Sequence, residues 1–209
     1  MKRMNILLIT TFITLSLQIH EGELYDAGRS SLINLNPKNF YTQITNNRNK
    51  DISFIHFYSP DDGKSNQLKE VFYEFDKEYG GMFKLAGLNC KLYHDLCRKE
   101  NVIEYPSFMI YPPLPAPVMK YEGKIDVKHI FSYLGKFVDN KCVELNNNNF
   151  DDFINSKANI PKILLFTDKK NIPLIFKRLS LAFNVRIKIY NFNIFFSFNK
   201  KWKKNYLKN

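Results

Sequence analysis

Apolar positions along the chain fall into runs of two kinds. ISFIHFYS (52–59) is an unbroken β-type run, the pattern of a central strand buried on both faces. FKLAGLNC (83–90), SFMIYPP (107–113) and VMKYEG (118–123) read as further strands, the last two joined by a proline-rich turn. SLINLN (31–36) alternates and predicts a short strand, after which Asn36 and Pro37 predict the N-cap and first position of a helix through Ile44. In 65–79, Leu68, Val71, Phe72 and Phe75 recur at helical spacing, and Gly80-Gly81 ends the pattern. YHDLCRKENV (93–102) predicts a short helix. Asp126 predicts the cap of a last helix through Val138, with Val127, Ile130, Phe131 and Leu134 on one face. The order is β-α-β-α-β-α-β-β-α. Its first part requires parallel strands with right-handed crossovers, its end an antiparallel hairpin and a helix, and helices cover both faces of the sheet.

After Asn140 the pattern starts again. CVELNNNNFDDFI (142–154) echoes SLINLNPKNFYTQI (31–44), PKILLFTD (161–168) echoes ISFIHFYSP, and IPLIFKRLSLAF (172–183) predicts the helix that follows. The repeat never reaches a closing hairpin and helix. From Asn184 the sequence has no acid, Gly or Pro and is Asn, Lys, Phe and Ile almost throughout. It reads as a disordered tail, or as a truncated product or an intron read into the chain.

Composition bounds the rest. At 209 residues and 44% hydrophobic, the chain can bury one sizeable core, up to one and a half domains. The net charge of +11 suggests an anionic partner until its distribution is read. Thirteen Lys and Arg against one acid, Asp168, give +12 from Lys157 onward, whereas residues 1–156 carry −1. The basic character belongs to the last quarter. Its basic-aromatic end suits anionic lipid or nucleic acid only if it is not simply a solvated tail. At the other end, Lys2 and Arg3 precede an apolar run from Ile6 to Leu17, too short to span a bilayer comfortably. This predicts a secretory signal peptide over 1–22, with an uncleaved anchor as the alternative. An oxidising compartment then makes a disulfide expected among the three cysteines, Cys90, Cys97 and Cys142.

Five motifs in order carry a family resemblance over roughly 31–138. They are FIHFYSP (54–60), DDGKS (61–65), LNCKLYHDLCRKENV (88–102), EYPSF (104–108) and KYEGKIDVKHIFSYL (120–134). Together they resemble the thioredoxin fold, most closely the protein disulfide isomerase family. The resemblance implies a thioredoxin-like domain over 24–139, a partial second one over 140–183, and a tail over 184–209. It also implies that Pro106, after Tyr105, is cis, and that Cys90 and Cys97 bridge a strand end to the next helix.

DDGKS stands where this family carries W-C-G-H-C. Asp61 replaces the tryptophan, Asp62 and Ser65 replace the two cysteines, Lys64 replaces the histidine, and Gly63 survives. A carboxylate cannot exchange disulfides, and Ser65 has no base beside it by family pattern. The family's buried acid on the preceding strand is His56 here. GKS lacks the upstream glycine of a phosphate loop, Tyr58 standing in its place, and two adjacent carboxylates with a lone histidine make a poor metal site. The resemblance therefore implies a redox-silent protein of the endoplasmic reticulum lumen or secreted space. Client polypeptides would bind around Asp61–Lys64, Tyr105 and Pro106, with no cofactor, metal or nucleic acid, and no membrane span after cleavage. The alternatives are an oxidoreductase using Cys90, Cys97 or Cys142, and a scaffold subunit of a secretory complex.

Overall fold

The computed structural model describes residues 22–26, 28–49, 51–146, 148–155, 160–183 and 186–193. The expected signal peptide therefore lies outside the described residues apart from Gly22, as does the expected tail beyond Asn193. The chain divides after Ser132 into two compact units.

The first unit carries β1 (Ile33–Leu35), α1 (Phe40–Gln43), β2 (Ser53–Tyr58), α2 (Gly63–Tyr79), β3 (Lys84–Asn89), α3 (His94–Lys99), β4 (Ser107–Tyr111) and β5 (Met119–Lys120), and α4 (Val127–Leu134) runs across the division. Its sheet has the order β1-β3-β2-β4-β5. β1 and β2 both pair parallel with β3, while β4 pairs antiparallel with β2 and β5 with β4. This is the thioredoxin fold that the order of elements predicts.

All six residues of β2 are buried, which is why its sequence shows no alternation. The faces differ in content. Ile55 and Phe57 join Leu35, Phe40, Ile44, Leu88 and the two cysteines of this unit in one core cluster. On the other face Phe54 stacks on Phe72 and Phe108, ring centroids 5.4 and 5.8 Å away. Removal of a buried ring of this kind costs about 3–5 kcal/mol. Gly87, in β3, has the Tyr25 ring against it so closely that a Cβ there would overlap the ring. Only glycine lets Tyr25 lie on the sheet.

The structure corrects several boundaries. The helix expected from Pro37 starts at Phe40. Asn36 instead forms a turn, its side-chain oxygen accepting the Lys38 N–H at 2.9 Å, and the Asn39 side chain straps the turn by donating to the Asn34 carbonyl at 3.0 Å. The helix expected over 93–102 is confined to His94–Lys99, and the one expected through Val138 gives way to a 3-10 turn at Gly135–Phe137.

The second unit holds β6 (Val143–Glu144), α5 (Phe150–Asn155), β7 (Lys162–Thr167), α6 (Leu174–Ala182) and β8 (Lys188–Asn193). Its sheet order is β6-β8-β7, all parallel, as in the β1-β3-β2 part of the first unit. The echo between the two halves extends to single hydrogen bonds. Asn148 donates to the Asn146 side chain at 2.9 Å, and the Asn149 side chain donates to the Glu144 carbonyl at 2.9 Å, reproducing the turn of Asn34, Asn36, Lys38 and Asn39. Tyr190 and Phe192 of β8 are buried with Leu145 and Phe150. Residues 188–193, expected to open a tail, thus form the central strand of this sheet. Their alternating Ile189, Asn191 and Asn193 hid the strand, because asparagine is a poor strand former.

Candidate functional site

β2 delivers the chain to the turn of Asp61, Asp62, Gly63, Lys64 and Ser65. After Tyr58 the backbone turns, with the Asp62 N–H donating to the Ser59 carbonyl at 3.0 Å. Asp62 is extended and is the N-cap of α2, its carboxylate accepting the Ser65 N–H at 2.7 Å. The helix therefore starts at Gly63, two residues before the predicted start. Ser65, through its nearby side chain and this backbone bond, holds the Asp62 carboxyl below its ordinary pKa. The Ser65 hydroxyl is fully buried but makes no hydrogen bond of good geometry, so the backbone bond is the one that defines the cap. Asp61 points elsewhere and pairs with Lys91 at 2.5 Å, an exposed ion pair that ties the turn to the segment between β3 and α3.

β4 brings the cis proline alongside. Ser107 pairs with Phe57, which sets Pro106 against the end of β2, and the Tyr105–Pro106 bond is cis. A second cis bond, Leu114–Pro115, lies in the proline-rich turn before β5. The sequence reading singled out only the first. Tyr105 is half-buried against the core, and Ile103 just before it is 81% exposed. Leu92, beside Lys91, is 54% exposed.

Cys90 and Cys97 are joined by a disulfide between the end of β3 and α3. Both are buried. The Cys90 N–H donates to the Tyr58 carbonyl at 2.8 Å, so the bridge anchors the loop beside the turn. Cys142 lies in the second unit as a free, half-buried thiol near the Phe176 carbonyl.

Beneath the turn, His56 is fully buried in β2. Its Nδ1 shares a 2.7 Å hydrogen bond with the Tyr25 hydroxyl, and its ring stacks on Phe108 at 4.8 Å. Burial lowers its pKa to about 3, with the Asp62 charge acting weakly in the opposite direction. The imidazole is neutral at physiological pH. Burial likewise raises the Tyr25 phenol well above its ordinary value. This Tyr25–His56 pair escaped the sequence reading. The phenol comes from the segment before β1, for which no pattern signalled a place in the core.

The site thus gathers Asp61, Asp62, Gly63, Lys64 and Ser65 with Tyr105 and Pro106, on top of a neutral histidine. It contains a helix cap where thiol exchange needs a thiolate and a resolving thiol. Among the described residues, no group of three or more His, Cys, Asp or Glu is arranged to hold a metal ion, and no helix is long and apolar enough to cross a membrane.

Residues 31–136 match the family model described as Thioredoxin, which is half of the chain. The chain belongs to the thioredoxin family. Within it, a Dictyostelium discoideum protein named "Putative protein disulfide-isomerase" is 27% identical over 160 residues, 74% of this chain and 38% of that protein. The human DnaJ homolog subfamily C member 10 is 31% identical over 121 residues, 57% of this chain and 15% of that protein. The chain therefore spans well under half the length of these curated relatives. Crystal structures of ERdj5 share the fold. Form II superposes with a TM-score of 0.64 at 19% identity over 86% of this chain and 25% of that one. The full-length structure gives 0.61 at 19% over 85% and 27%. This thioredoxin-family chain is thus protein disulfide isomerase-like in fold and sequence, and the turn between β2 and α2 reads Asp61-Asp62-Gly63-Lys64-Ser65.

Proposed function

We propose that this chain is a redox-silent, protein disulfide isomerase-like protein of the secretory pathway that assists folding by binding client polypeptides. The observation that carries the reading is the Asp62–Ser65 bond. The two positions that would exchange electrons are instead a carboxylate and a backbone N–H closing a helix cap. The two cysteines of the first unit, Cys90 and Cys97, form a bridge that is buried and so shielded from an attacking thiolate. The binding surface would be the turn of Asp61–Lys64 with Tyr105 and Pro106, to which the exposed Ile103 and Leu92 add apolar area. The chain's relatives named for disulfide isomerisation and as a DnaJ homolog support a place in assisted folding.

The test is binding of reduced, carboxymethylated α-lactalbumin, which is unfolded and carries no free thiol. Binding is expected to weaken in Ile103→Ser and Tyr105→Ala, while insulin reduction by the unmodified protein stays at background. Absence of any affinity for unfolded chains, or turnover of insulin disulfides, would overturn the reading.

A further inference from the structure

The two sheets differ at one place. In the first unit the edge of β2 that faces away from β3 is covered by β4, antiparallel, from Ser53 opposite Tyr111 to Phe57 opposite Ser107. β7 is the counterpart of β2, and among the described residues no strand pairs with its outer edge. Such an edge presents unpaired N–H and C=O groups and is normally blunted by charge, proline or a bulge. β7 has none of these from Ile163 to Thr167. Its one lysine, Lys162, is turned away to the Phe153 carbonyl, at 2.6 Å. Ile163 and Phe166 are 38% and 62% exposed, so this strand also carries apolar side chains open to solvent.

We propose that the outer edge of β7 is a strand-addition site that takes one extended segment of a partner polypeptide, antiparallel, apolar or β-branched at its centre and flanked by Asp or Glu. Three observations choose this occupant. The orientation and central chemistry follow from β4, whose SFMIY covers the equivalent edge in the first unit. The flanking charge follows from the sequence of the unit: one acid, Asp168, follows the strand, Lys169 and Lys170 come next, and residues 160–193 carry seven Lys and Arg against that single acid. The same charge opposes a second copy of the chain, which would bring two like-charged units edge to edge. Backbone bonds supply affinity in this mode, and alternate side chains supply selectivity. The inference rests on the client-binding reading and adds where an extended client segment would pair.

The test uses the full chain and three labelled peptides: an alternating Val-Thr segment flanked by Asp, the same segment flanked by Lys, and an Asp-flanked version with a central proline. Anisotropy is expected to show the Asp-flanked peptide binding about tenfold tighter than the Lys-flanked one, the worth of a few cross-strand charge pairs. The proline version should not bind. Hydrogen exchange should slow on binding at amides within Ile163–Thr167. Ile163→Lys and Phe166→Lys each abolish binding, with β8 exchange unchanged as the check that the sheet is intact. Phe166→Tyr retains it. Binding that survives both lysine variants overturns the site while leaving the client-binding reading standing. Slow exchange without peptide at the amides of 163–167 that point away from β8 also overturns it. If dilution removes that protection the occupant is a second copy, and if dilution does not, it is a segment of the same chain.

Discussion

The Asp62 carboxylate accepts the Ser65 backbone N–H at 2.7 Å, across the two positions that the resemblance in sequence aligns with the family's redox cysteines. The bond turns a catalytic geometry to structural use, because the same helix N-terminus that would stabilise a thiolate stabilises a carboxylate.

Replacing Asp62 tests that use. Asp62→Ala is expected to lower the urea midpoint, whereas Asp62→Asn, which can still cap, retains most of it. The folded-state pKa is depressed, so this stabilisation is present above the ordinary carboxylate range and lost as pH falls through the lower folded value. The difference in midpoint between unmodified protein and Asp62→Ala should therefore shrink in acid. A constant difference from pH 7 to 2 would show that the cap is not the source.

The Cys90–Cys97 bridge closes a loop of eight residues. Constraining such a loop in the unfolded chain is worth about 2.5 kcal/mol in the loop-entropy description. Cys90→Ser or Cys97→Ser, or reduction of the bridge, should lower stability by roughly that amount in chemical denaturation. Mass mapping after alkylation of the unreduced protein should label Cys142 alone.

His56 gives a separate acid signature. Its folded pKa of about 3 lies below the ordinary value near 6.5, so the folded state refuses a proton that the unfolded chain accepts. Stability from this group is complete above about pH 6.5 and is lost as pH falls toward the folded value. The slope is up to about 1.4 kcal/mol per pH unit. His56→Gln should flatten that part of the profile. Tyr25→Phe removes the hydroxyl from His56 Nδ1 and should cost about 1–3 kcal/mol at neutral pH, the penalty for a buried group left without its partner.

How far the sequence foretold this molecule depends on which physical signal each part carries. β2 and α2 were legible because burial on both faces and a 3.6-residue stripe leave dense apolar patterns, seen in Phe54–Tyr58 and in Phe72 and Phe75. Asn36 misled because an asparagine before a proline signals a helix cap and an Asx turn alike, and only the strap from Asn39 decides between them. β8 was missed because buried Asn191 and Asn193 carry no strand propensity, and parallel pairing on both sides overrides that. The turn was readable as an absence of cysteine. The Tyr25–His56 bond was not, since residues 31 apart in sequence meet only through the sheet.

Restoring the thiols asks how much of the enzyme the scaffold still holds. In Asp62→Cys with Ser65→Cys, the first thiol would sit at the N-terminus of α2, where helix termini depress thiol pKa values. The second would stand three residues on, at the fully buried Ser65 position. The double variant is expected to form a 62–65 disulfide and to reduce insulin measurably, and the unmodified protein is expected to give a flat trace. Turnover should remain slow, because the group beneath is a neutral His56 held by Tyr25 and cannot act as the family's buried carboxylate does. Adding His56→Glu to the pair should then raise the rate of the step that expels the mixed disulfide. A double variant that forms its disulfide yet shows no insulin reduction, with or without His56→Glu, would place the loss of chemistry in the turn's backbone and not in its side chains.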